Sequence, residues 1–160
     1  MKKILFLLFF FTKSLSAVEV ACLFEEVYLD GQTQQGYFLI KDKKLRYKYN
    51  DGDLFTIILK KERFYLIQNR DHKQVQTLNQ NTDVLKSLVE ISLDFPNIKD
   101  TYFLDDATIK LEKSSINFIK RASIQSDNLN LSINIIDCKF KTINDKYFKP
   151  FNLHEYKEKF

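Results

Sequence analysis

Apolar residues recur at every second position over most of this chain, and that period constrains the fold more than any other feature. Leu45, Tyr47 and Tyr49 alternate with Arg46 and Lys48, and Phe55, Ile57 and Leu59 alternate with Thr56, Ile58 and Lys60. Leu129, Leu131, Ile133 and Ile135 alternate with Asn130, Ser132 and Asn134. A two-residue period puts one set of side chains on each face of a β-strand. Further short runs start at Leu23, Gly36, Phe64, Lys73, Thr101, Thr108 and Ile116. Polar turns separate them, among them Asp30-Gly31, Lys41 to Lys44 and the hairpin signal Asn50-Asp51-Gly52-Asp53. The step Ile135-Ile136 breaks the alternation and predicts a bulge before Cys138. One stretch changes period: Val84, Leu85, Leu88, Val89 and Ser92 follow helical spacing. Asn81, Thr82 and Asp83 are candidate N-caps, and Pro96 lies beyond the end. Some ten strands in hairpin order with one helix predict a mainly β fold. It is a curled antiparallel sheet or incomplete β-barrel, with one face apolar and the other polar.

The first residues read as an export signal. Lys2 and Lys3 precede the apolar run Ile4 to Phe11, and small residues follow at Ser14, Ser16 and Ala17. That run is far below the ~20 residues that span a bilayer. The expected organisation is a signal peptide over 1–17 and one β-rich domain over 18–160. Lys2, Lys3 and Lys13 are three of the 25 basic residues, so the remainder carries 22 against 21 acids, a net charge of +1. That balance gives no concentrated basic surface and argues against a nucleic-acid partner. The basic turns at Lys41 to Lys44 and Lys60 to Arg63 are interrupted by acids and read as solvated. Cys22 and Cys138 are the two cysteines. In an oxidising compartment they predict one disulfide, closing a loop worth up to ~4–5 kcal/mol in the chain-entropy model. The other reading makes Cys22 a lipid-attachment site after Val20-Ala21, with Glu19 where a lipobox has an aliphatic residue.

No catalytic constellation emerges. His72 and His154 lack the neighbours of a zinc site, phosphate-cradling glycine loops are absent, and no nucleophile elbow surrounds a serine. The acidic pairs Glu25-Glu26 and Asp105-Asp106 read as ordinary surface charge. The expectation is therefore no enzyme, no metal and no cofactor. What remains is an apolar sheet face larger than one helix can cover. Curling would enclose it, either as a core filled by side chains or as a cavity open to a ligand. Tyr47, Tyr49, Phe55, Ile57, Leu59, Leu129, Leu131 and Ile133 would line that interior.

Several segments resemble the LolA-like periplasmic lipoprotein carriers. Gly36 to Ile40 followed by Leu45-Arg46-Tyr47-Lys48-Tyr49 is similar to the start of that family. Thr56 to Ile58 and Phe64 to Asn69 are similar to its next hairpin, and Leu129 to Ile136 with Asp145 to Pro150 to its C-terminal end. The resemblance covers roughly residues 36–151. It implies an incomplete barrel of the LolA/LolB type whose concavity holds acyl chains, with Leu85, Leu88 and Val89 on a lid helix. The implied role is a monomeric carrier of acylated lipoproteins or lipids, working in the periplasm between an inner-membrane release complex and an outer-membrane receptor. Hiding acyl chains from water is worth ~0.8 kcal/mol per CH₂ and needs no catalytic residue. Two departures stand out: Lys41-Asp42-Lys43 replaces the family's Arg-Pro turn, and strand-like sequence begins where the family has an N-terminal helix. With Cys22 lipidated, the chain would instead resemble the outer-membrane receptor of the same fold. The competing readings are an adaptor β-module that binds protein through a sheet edge and, third, an envelope hydrolase.

Overall fold

The computed structural model describes residues 19–78, 83–95, 97–114, 119–127, 129–151 and 154–156. The export segment, the candidate caps Asn81 and Thr82, Pro96 and the strand start at Ile116 lie outside them. Ten strands run β1 (Glu19–Tyr28), β2 (Thr33–Lys41), β3 (Lys44–Tyr49), β4 (Phe55–Lys60), β5 (Arg63–Gln68), β6 (Val75–Leu78), β7 (Thr101–Phe103), β8 (Ala107–Lys113), β9 (Ile119–Ser126) and β10 (Asn130–Phe140). The helix α1 (Asp83–Leu93) follows β6, and a 3₁₀ turn, Asp145–Phe148, follows β10. All strands belong to one antiparallel sheet in the order β6-β5-β4-β3-β2-β1-β10-β9-β8-β7. Two hairpin meanders are thus joined by pairing β1 with β10. The sheet stays open, with β6 and β7 at its edges. Among the described residues no helix is long and apolar enough to cross a membrane.

The sheet curls so that side chains of β1 to β4 meet those of β8 to β10 in one apolar cluster, and α1 packs into the same cluster through Val84, Leu85, Leu88, Val89 and Ile91. The predicted alternation holds in β3 and β4, whose inward residues Leu45, Tyr47, Tyr49, Ile57 and Leu59 are all buried. In β1 the inward set is the even one: Val20, Cys22 and Phe24 belong to this cluster, whereas Ala21 and Leu23 pack on the outer face.

A bulge lies at the expected step. Leu23 pairs with Asp137 and Phe24 with Ile135, leaving Ile136 as the extra residue, and its side chain is exposed. The insertion has two effects at once. It turns Cys138 to the face occupied by Ile133 and Ile135, and it sets Cys138 directly opposite Cys22. The two cysteines are disulfide-bonded across the central seam.

Gly36 sits opposite Phe24 in β1 and Tyr49 in β3. A β-carbon on Gly36 would collide with the Lys48 carbonyl oxygen and with the tip of the Phe24 ring. The carbonyl belongs to a paired strand and cannot swing away, so only glycine lets that ring lie flat across β2. Phe24 then stacks on Tyr47 with centroids 4.1 Å apart. Gly36→Ala is expected to cost about 1–3 kcal/mol, the range for overpacking a filled site. Thermal unfolding checks this, and an unchanged midpoint would refute the close approach.

The outer face departs from the expectation of a polar surface. Ala21, Tyr37, Leu39, Ile143, Phe148 and Tyr156 form a second buried cluster there, because the chain after β10 folds back across β1 to β3. Arg46, fully buried, donates through Nη1 to the His154 carbonyl and lies over the Tyr37 ring at 5.5 Å. Lys41 and Lys44, expected to be solvated, instead reach Asp145 at 3.5 and 2.9 Å. Lys48 meets Glu155 at 2.8 Å. The residues look like free surface charge because their partners lie about a hundred positions away in sequence.

This strap titrates in acid. The Lys44 hydrogen bond and the neighbouring lysine charges hold the Asp145 carboxyl below its ordinary value. For Glu155, burial pushes upward, but the Lys48 hydrogen bond and the Lys48 and Arg46 charges outweigh it and hold that carboxyl down as well. Depressed carboxyls contribute stability that is present above the unfolded value, near pH 4, and is lost as pH falls through the folded one. Limited proteolysis should therefore find residues 141–151 and 154–156 protected at pH 6 and increasingly cleaved below about pH 4. Equal protection at both pH values would refute the ionic anchoring.

Candidate functional site

The concave face is not filled. A cavity of about 470 Å³ opens between the sheet and α1, inside the ~300–1,000 Å³ typical of sites for one small ligand. Its apolar wall comes from Phe55 and Ile57 of β4, from Leu131 and Ile133 of β10 and from Leu129 just before it, with Leu85 and Leu88 of α1 above. Tyr47 and Tyr49 also line it. Seven of the eight residues expected in the interior are therefore brought together. Leu59 is the exception: it is buried but borders a separate hollow of about 380 Å³, beside Lys43, Lys61 and Val89. A second, apolar space of about 50 Å³, bounded by Phe38, Ile40, Leu45, Val89 and Ile135, shares Tyr47, Leu85, Leu88 and Ile133 with the main cavity as common lining. Of the three helix residues, Leu85 and Leu88 line both spaces and Val89 lines the smaller one.

Helix α1 covers the cavity for local reasons. Its apolar side chains recur at helical spacing on one stripe. Ser92, which falls on that stripe, satisfies its hydroxyl by donating to the Leu88 carbonyl at 2.7 Å. A polar atom can thus line an apolar space without an unpaired hydrogen bond.

The polar end of the cavity contains a group the sequence reading assigned to the surface. Glu26 is 4 % exposed. The tyrosine hydroxyls of Tyr28, Tyr47 and Tyr49 all donate to its carboxylate, Tyr28 at 2.6 Å, Tyr47 at 2.7 Å and Tyr49 at 3.1 Å to both oxygens. Of the adjacent pair, Glu25 points outward to Gln35 at 2.9 Å. The signal that separates them is the phase of β1: Glu26 belongs with Cys22 and Phe24 on the even positions. Burial, reinforced by the Glu26 charge, raises the Tyr47 and Tyr49 phenols well above their ordinary range. Burial and the hydrogen bond to Glu26 push Tyr28 up to about 12. The three phenols therefore remain protonated donors at any physiological pH. Asp106, Ser126 and Asp127 stand at this same end of the sheet, where β8 begins and β9 turns into β10.

Among the described residues no three His, Cys, Asp or Glu side chains converge as a metal site. His72 approaches Glu155 at 3.6 Å on the outer face, and His154 contributes its carbonyl to Arg46.

These features define a class: an open, curled antiparallel sheet with a helix-covered apolar cavity and a buried carboxylate at one end. No family model matches the sequence, and no curated protein matches it. Among solved structures the chain is similar to the LolA superfamily protein NE2245 from Nitrosomonas europaea. The identity is 10%, over 83% of this chain and 90% of that one, with a TM-score of 0.36. At that degree of superposition the likeness assigns no function.

Proposed function

We propose that the cavity binds an acyl chain and that the protein is a non-enzymatic carrier. It would shield lipids or acylated lipoproteins outside the cytoplasmic membrane on their way toward the outer membrane. The observation that carries this reading is the vacant, helix-covered interior of about 470 Å³, walled by Phe55, Ile57, Leu129, Leu131 and Ile133. A protein that needed only a stable β-fold would gain from filling it, since empty apolar volume forfeits packing. An acyl chain gains ~0.8 kcal/mol per CH₂ on leaving water, and reversible binding of that kind requires no reactive group. The sequence resemblance to LolA-like carriers supports the same role. The adaptor reading has less to work with: the two free edges, β6 and β7, are four and three residues long, and short edges recruit partner strands poorly. The test is titration with a fluorescent fatty-acyl probe. Saturable binding at one site per chain is expected, and folded protein that takes up no probe would end the proposal.

A further inference from the structure

Resting on the acyl-binding reading, we propose that the cavity selects amphiphiles with a cationic ammonium headgroup, held at the end formed by Glu26, Tyr28, Tyr47 and Tyr49. The charge lining the cavity is of one sign. Glu26, Asp106 and Asp127 contribute carboxylates, and no lysine, arginine or histidine is among the described lining residues. Outside the export segment the chain is nearly balanced, 22 basic against 21 acidic side chains, so the acidity of this end is not inherited from composition.

Glu26 is the informative group. Removing a carboxylate from water is costly unless a counter-charge accompanies it. Three phenols satisfy its hydrogen-bonding capacity, yet no basic side chain of the described residues forms an ion pair with it. Its hydrogen bonds are met, but no basic side chain among the described residues faces it. A ligand cation at the polar end would supply the missing charge.

The aromatic rings favour the same occupant. Tyr47 and Tyr49 stand nearly perpendicular, 5.6 Å apart, and Tyr49 meets Phe55 at 85° and 5.4 Å. At these spacings the rings pack edge to face on one another, and the aromatic surface they leave toward the cavity attracts quaternary and other ammonium groups. The cavity is also ordered along its length: the carboxylates lie at one end, and the narrow space beyond Tyr47 and Ile133 is apolar. An alkyl tail directed toward that apolar side leaves its head among the tyrosines and acids. A carboxylate, sulfate or phosphate head in the same position would meet the buried Glu26 carboxylate, where water screens poorly, with the exposed Asp106 and Asp127 adding weaker repulsion of the same sign.

The experiment compares one dodecyl chain carrying three heads, trimethylammonium, sulfate and uncharged maltoside, each titrated calorimetrically below its micelle concentration at low salt. The ammonium compound is expected to bind at one site at least about tenfold more tightly than the sulfate, with the maltoside between them. Sulfate binding as tight as ammonium binding would overturn the headgroup inference and leave the acyl-chain reading standing. If none of the three binds, the acyl-chain reading fails and the inference falls with it. In Glu26→Gln the ammonium-to-sulfate ratio should fall toward one, and an unchanged ratio overturns the inference. Should Glu26→Gln not fold, Asp127→Asn at the cavity mouth carries the test, with a smaller drop in the same ratio expected and no drop counting against it.

Discussion

Removing the Cys22–Cys138 bond, by reduction or by the double substitution Cys22→Ala with Cys138→Ala, should lower the unfolding free energy by as much as ~4–5 kcal/mol. The bond joins residues 116 apart in sequence. It lies on the seam between β1 and β10, the pairing that holds the two meanders together as one sheet. Hairpins within each meander close short loops cheaply, whereas the β1–β10 pairing must close nearly the whole chain. A covalent link across that pairing removes its loop entropy from the unfolded ensemble. For a protein whose total stability is of order 5–15 kcal/mol, the loss is a large fraction. Denaturant titration with and without reductant is the measurement. A midpoint that falls steeply on reduction is expected, and an unmoved midpoint would show that the seam is held by packing alone.

Leu131→Glu should abolish acyl-chain binding while leaving the fold intact. Leu131 is half-buried, pairs with Tyr28 on one side and Ile124 on the other, and faces the cavity. In the empty protein a carboxylate there keeps access to water in the open cavity. Once an acyl chain enters, that carboxylate loses its hydration, at an effective cost of several kcal/mol. A loss of at least about a hundredfold in affinity corresponds to roughly 2.7 kcal/mol. Lys110→Glu, on the exposed outer side of β8, serves as control and should bind as the parent does. Acyl binding that survives Leu131→Glu in folded protein would place the ligand elsewhere.

Local features were legible in the sequence and distant ones were not. The strands of β3, β4 and β10 announce themselves by alternation, and α1 by its change of period. The bulge is visible because Ile135-Ile136 cannot both face inward. Interior residues followed from the same alternation, which is why seven of the eight share one cavity. Leu59 lies on the same strand face but farther along it, under a different part of α1, and strand phase alone carries no information about depth. Glu26 escaped because two adjacent acids always straddle a strand, and only its register with Cys22 and Phe24 decides which turns inward. Arg46 and the lysines around it escaped for another reason. What covers them comes from residues 141–151 and 154–156, whose irregular sequence announces no partner, and the contacts span about a hundred positions.

A sheet that keeps its apolar concavity available to an acyl chain should reveal its occupant in native mass spectrometry of the protein purified without detergent. A population carrying one acyl-bearing molecule per chain is expected, a population that Leu131→Glu does not form. The bare polypeptide mass throughout, persisting after incubation with a long-chain lipid, would contradict it.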